Sequence, residues 1–186
     1  MTPLGPVIGR LAALGLLGGI LQLTAVAQIT VFGVPADLSP LLVCAVGLLM
    51  GSVPGALFGF SIGLFVDTAL LQTLGISSLV YLVVGYYAGL TRNTARDPQA
   101  MALPLLGGAL GTFAALTMFS ILQFLLGVEA PVSFELVRQI ISTTLINTLL
   151  ALPVFVLVRK ALGPTVDDRR RRRRRARPGL SPLIQP

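Results

Sequence analysis

From Leu38 to Leu71 nearly every residue is apolar. As one helix this stretch would reach roughly 50 Å, far beyond the ~30 Å hydrocarbon core of a bilayer. The chain must therefore turn back on itself inside the run. Gly51-Ser52-Val53-Pro54-Gly55 supplies the break, because proline and glycine interrupt a helix and a tight hairpin needs few residues. This predicts a short second span near Leu38 to Met50 and a third near Pro54 to Leu71.

The rest of the chain has the same character. With 54% hydrophobic and only 11% charged residues among 186, it is too apolar for a soluble domain. Further spans are predicted from Leu11 to Phe32, Ile76 to Leu90, Met101 to Leu126 and Ile140 to Val158. The expected fold class is all-α, a polytopic membrane bundle of six transmembrane helices. Residues 1–160 form its membrane domain, and residues 161–186 a disordered Arg/Pro-rich cytoplasmic tail. A competing reading takes Leu11 to Thr24 as the apolar core of a signal peptide, with Ala25-Val26-Ala27 as its cleavage site. The apolar run continues past that site and more spans follow, which favours a first span.

Charge placement orients the bundle. Seven of the 14 basic residues form one block, Arg169, Arg170, Arg171, Arg172, Arg173, Arg174 and Arg175. The high pI thus describes a tail and not a basic fold, and nucleic acid is not an expected partner. Six spans put both termini and the loop bearing Arg92 and Arg96 on one side, which the positive-inside rule makes cytoplasmic. Fusing the second and third spans would instead send the arginine tail across the membrane. The expected location is the bacterial cytoplasmic (inner) membrane, multi-pass, with the arginine block against anionic lipid.

Within the bundle, Gly51, Gly55, Gly59 and Gly63 recur every fourth residue, a strip on which another helix backbone can approach closely. Gly85 and Gly89 repeat the spacing, as do Gly107 and Gly111. Packing within the chain is the first meaning of such strips, and a partner-binding face the second. Asp67 falls at the next step after Gly63. A carboxylate in hydrocarbon is expensive, so Asp67 should face protein, a polar cavity or the interface. Asp37 precedes Leu38 in a turn-rich break, where it is placed to cap the next helix. Tyr81, Tyr86 and Tyr87 add aromatic surface with polar tips, and Asn147 is the notable polar residue of the last span.

Catalytic chemistry is hard to build from this inventory. The chain has no histidine or tryptophan and a single cysteine, Cys44, so it has no internal disulfide and no His-based catalysis. It carries no phosphate-binding loop, dinucleotide fingerprint, zinc pattern or nucleophile elbow. No enzyme activity, cofactor or metal is expected. An intramembrane enzyme would need a second acid close to Asp67, and the sequence leaves the distance to Asp37 open.

Taken in line, Pro35, Asp37 and Leu38 lead into two short spans. Gly59-Phe60, Gly63-Leu64, Asp67, Leu74-Gly75, Tyr81, Gly85-Tyr86 and Gly89 then follow. This pattern resembles the rod shape-determining MreD family, most densely from Pro35 to Gly89, while the other spans agree in number and hydropathy. The resemblance implies a noncatalytic scaffold of the bacterial cell-elongation machinery that makes peptidoglycan. Its implied partners are MreC, MreB, RodA and a penicillin-binding protein. It also implies an architecture similar to the substrate-binding S components of energy-coupling-factor transporters, so a small-molecule-binding subunit is the alternative. The partner-binding or structural residues it points to are Asp37, Gly55, Gly59, Gly63, Asp67, Tyr81, Gly85, Tyr86 and Gly89. The arginine tail departs from the family pattern and takes no role from it.

Overall fold

In the computed structural model, the described residues are 4–22, 24, 30–31, 34–35, 37–92, 102–127 and 134–175. They form six helices: α1 (Leu4–Leu21), α2 (Leu38–Met50), α3 (Ser52–Ala69), α4 (Ile76–Leu90), α5 (Ala102–Leu125) and α6 (Phe134–Arg175). The expected Ala25-Val26-Ala27 site and Arg96 lie outside the described residues, as do the side chains of the arginine block. Three helical stretches are long and apolar enough to cross a membrane: Ser52–Ala69, Pro104–Leu125 and Phe134–Gly163. Val7–Leu21, Leu38–Met50 and Ile76–Leu90 are shorter and also apolar.

Two boundaries differ from the sequence reading. The first helix begins earlier and stops at Leu21 rather than Phe32; beyond it Thr30–Val31 (β1) pairs antiparallel with Val34–Pro35 (β2). Hydropathy is blind to this change, because apolar strand and apolar helix score alike. The last helix runs on to Arg175, so the expected boundary at residue 160 does not coincide with a helix end. Arginine is a good helix former, although like charges at i,i+3 and i,i+4 within the block work against the helix.

α2 is the hub of the bundle. Every residue in it except Leu49 is buried, and it packs against each of the other five helices. A helix that is apolar all round belongs inside a bundle, where it has no face to offer water. Val43, Val46, Phe58, Ile62, Val80 and Val84 form the central apolar contact, joined by Ala115, Val158 and Leu162. α2 ends abruptly at Gly51, whose φ of 105° is open to glycine and strained for other residues. Its N–H closes on Gly47 O at 2.7 Å, and α3 starts at the next residue.

α3 and α4 make the most extensive helix pair, and their glycines explain why. They run antiparallel, with Gly55 against Gly85, Gly59 against Tyr81 and Gly63 against Ser77 and Ser78. A Cβ at Gly55 would lie 2.5 Å from Gly85 O and 2.7 Å from Gly47 Cα. Three helices thus meet backbone to backbone at that point. At Gly59 and Gly63 the added atom would run into the main chain of Tyr81 and Ser78. Main chain cannot swing aside as a side chain can. Close approach of this kind gains dispersion contacts that bulkier residues would forbid, and it suits lipid, where apolar burial alone does not drive helices together.

Gly59→Leu and Gly63→Leu are each expected to lower the unfolding temperature and the folded yield in detergent. The cost is at least the roughly 1 to 3 kcal/mol typical of overpacking. Gly9→Leu is the control, since nothing lies within 4 Å of a Cβ there. Equal melting temperatures for all three variants would remove the backbone contact as a stabilising feature.

Candidate functional site

The site begins with a problem posed by α2. Its first residues, Leu38, Ser39 and Pro40, are buried, and Asp37 before them is bonded to Asn147 of α6, so its free N–H groups lie away from bulk water. A helix leaves its first four N–H groups without intrahelical partners, and a buried N–H without an acceptor costs free energy comparable to a lost hydrogen bond. Here each of the four is accounted for. The Asp37 N–H donates to Asn147 Oδ1 at 3.3 Å, the Leu38 N–H to Gln22 Oε1 at 2.8 Å, and the Ser39 N–H to Asp37 Oδ1 at 3.0 Å. The fourth position is Pro40, which has no N–H to satisfy.

The partners that supply these acceptors are themselves tied down. The Asn147 amide group donates to Asp37 O at 2.6 Å and to Thr112 Oγ1 at 3.1 Å. Asn147 and Thr112 have no solvent exposure at all. The Tyr81 hydroxyl donates to the second carboxylate oxygen of Asp37 at 3.3 Å. One polar layer therefore links the end of α1, the start of α2, and the interiors of α4, α5 and α6.

Asp67 lies near the C-terminal end of α3. It is fully buried. Its Oδ2 accepts the Gly75 N–H at 2.8 Å and its carbonyl accepts the Gln72 N–H at 3.0 Å. Gly75 is the N-cap of α4 and has no side chain to cap with. Asp67 thus reaches from α3 to close the next helix, where a carboxylate also meets the positive end of the helix dipole. Its other oxygen, Oδ1, and the hydroxyl of Ser78 are buried without a hydrogen-bond partner.

Of the residues singled out in the sequence, Asp37 and Tyr81 are joined by a hydrogen bond, while Asp67 caps α4 separately. Gly55, Gly59, Gly63, Gly85 and Gly89 form the helix contacts behind them, with Gly89 against Gly51 and Ser52. Tyr86 does not join them: it is exposed, edge-on to Tyr87 with ring centres 5.8 Å apart. Gln22, Thr112, Ser78 and Gly47 escaped sequence reasoning. Gly47 falls one four-residue step before Gly51 and was open to detection; the others are single polar residues whose convergence is tertiary.

Such a bundle, with helices locked through glycine and a buried helix start capped by polar side chains, defines an all-α membrane protein whose site is occupied mainly with holding itself together. The sequence model of the family described as rod shape-determining protein MreD matches residues 11–161. The chain belongs to that family, and its apolar helices and family membership make it a bacterial membrane protein with a role in rod-shape determination. No curated protein and no solved structure matches it.

Asn147→Leu is expected to strand the Asp37 N–H and the Thr112 hydroxyl at about 1 to 3 kcal/mol, lowering the melting temperature by roughly 2 to 12 °C. At Asp67, asparagine keeps an acceptor for Gly75 whereas leucine does not. Asp67→Asn should therefore melt above Asp67→Leu in the same thermal scan. The reverse order, or an unmoved Asn147→Leu, would contradict the capping assignment.

Proposed function

We propose that this protein is a noncatalytic membrane scaffold of the bacterial cell-elongation machinery, holding MreC beside the enzymes that make peptidoglycan. The observation that carries the reading is the use made of the two acids. Both oxygens of Asp37 and one of Asp67 accept hydrogen bonds that close helix ends or join helices. They are spent on rigidity, and family membership supplies the cellular setting. MreB, RodA and a penicillin-binding protein are further partners in this reading. Affinity isolation of the full-length chain in mild detergent is expected to recover MreC together with cell-wall synthases. Recovery of transporter ATPases in their place would overturn it.

A second reading is favoured by one specific observation. Asp67 Oδ1 and Ser78 Oγ are buried and unpartnered, as polar groups in a ligand-binding subunit of the S-component type would be before loading. If Asp67→Asn leaves assembly with MreC intact while abolishing uptake of a small molecule in proteoliposomes, the binding subunit replaces the scaffold.

In the proposed topology all six helices cross the inner membrane, with both termini and Arg92 on the cytoplasmic side. Cys44 is buried, so cysteines introduced at Thr2 and Ser181 should provide the accessible thiols. Both are expected to resist an impermeant maleimide on intact cells and to react after lysis; labelling of either from outside would exclude this topology. The tail, Arg169 to Arg175, is assigned to anionic lipid, at roughly 1 kcal/mol per charge near the surface and weakened by salt. Deleting residues 169–186 should abolish a preference for anionic over neutral vesicles, and an unchanged preference would reject that assignment.

A further inference from the structure

α3 turns its glycine strip inward, with Gly55, Gly59 and Gly63 against α4. The opposite side of the same helix is exposed. Leu57, Ser61, Leu64 and Thr68 all lie there, at spacings of four, three and four residues. That alternation keeps a narrow seam on one side of a helix, and it is the spacing by which the helices of a coiled coil interlock. Leu57 and Leu64 take the d positions of such a repeat, and Ser61 and Thr68 the a positions. The stretch Ser52–Ala69 is long and apolar enough to cross a membrane, so the seam faces hydrocarbon.

Two hydroxyls are out of place on such a face. Among the described side chains, every other serine and threonine within the six helices is buried or half-buried. The exposed faces of α5 and α6 carry apolar groups instead, Leu110, Phe113 and Ile121 on one and Leu145, Leu149 and Val156 on the other. Each α3 hydroxyl gives its proton to its own helix: Ser61 Oγ donates to Leu57 O at 2.9 Å and Thr68 Oγ1 to Leu64 O at 2.7 Å. Each oxygen keeps lone pairs that hydrocarbon cannot satisfy, whereas a neighbouring helix can supply a donor.

The chemistry of the seam also selects the occupant. Two copies of this chain insert in the membrane the same way, so a two-fold axis along the membrane normal sets α3 parallel to α3 of the second copy. In a parallel pair a meets a and d meets d. Ser61 then faces Ser61 of the second copy, and Thr68 faces Thr68. A hydroxyl is both donor and acceptor, so two identical hydroxyls complement each other. An antiparallel helix would set each of them against a leucine.

We propose that two copies of this protein associate through α3, as a parallel two-fold pair in which Leu57 and Leu64 pack across the axis and Ser61 and Thr68 set the register. The pairing requires only that both copies share one orientation, whichever end is cytoplasmic and whichever proteins the bundle holds, so it stands or falls apart from the scaffold reading.

Full-length protein carrying Ser181→Cys takes a donor or an acceptor dye at that site, since Cys44 is buried. Energy transfer between the two pools is then followed in phosphatidylethanolamine–phosphatidylglycerol vesicles as lipid is added. Transfer is expected to exceed that of randomly mixed monomers and to fit a monomer–dimer equilibrium. Ser61→Ala with Thr68→Val deletes both hydroxyls at exposed positions. It should raise the dissociation constant about threefold or more and leave the folded yield unchanged. In undyed protein, Ser61→Cys or Thr68→Cys is expected to cross-link two chains under an added oxidant, while Leu149→Cys, on the exposed face of α6, is not. Transfer no greater than random at every dilution, a dissociation constant unmoved by the double substitution, or cross-linking at Leu149→Cys equal to that at Ser61→Cys would overturn the pairing.

Discussion

A helix that begins inside an apolar bundle must bring its own acceptors, and most of this structure follows from that requirement at the start of α2. The bundle gains a central element that every other helix can pack against. In return, four positions at the head of α2 have to be reconciled with a low-dielectric interior. Gln22, Asp37 and Asn147 supply three acceptors, and Pro40 removes the fourth donor. Because those acceptors sit on different helices, satisfying them also sets the register of α1 and α6 against α2. Thr112 and Tyr81 extend the same constraint to α5 and α4.

The glycine contacts and the polar layer divide the work. Glycine lets α2, α3 and α4 approach until their main chains touch, which gives contact but little directional preference, since a small-residue strip can slide by one step. Hydrogen bonds accepted by Asp37 and Asp67 select one register among those steps. Asp67 shows the coupling most directly, because it follows Gly63 by one step and caps α4 through Gly75. Small residues bring the two helices together, and the carboxylate fixes where they stop.

Much of this is legible in the sequence. The breaks around Leu38, Met50, Ile76 and Leu90 coincide with the ends of α2 and α4, because turn residues and the limited height of a bilayer bound them sharply. Asp37 stands where a helix cap belongs. The extent of α1 and α6 was not legible: hydropathy cannot distinguish β1 from a helical continuation, and a run of arginines stays helical past the last apolar residue. The convergence of Gln22 and Asn147 on the start of α2, with Thr112 behind Asn147, was equally hidden. They lie on separate segments, and only the crossing of helices brings them within hydrogen-bond distance.

Amide hydrogen exchange at Asp37, Leu38 and Ser39, measured in detergent, is the most direct probe of the central claim. First-turn amides in an ordinary helix have no intrahelical acceptor and exchange readily. In this protein all three should exchange as slowly as Val43 and Val46 in the middle of α2, because each is bonded to a side-chain acceptor in the polar layer. Rapid exchange at these three amides beside a protected α2 interior would mean that the helix start is open to water, and the polar layer would lose its part in holding the bundle together.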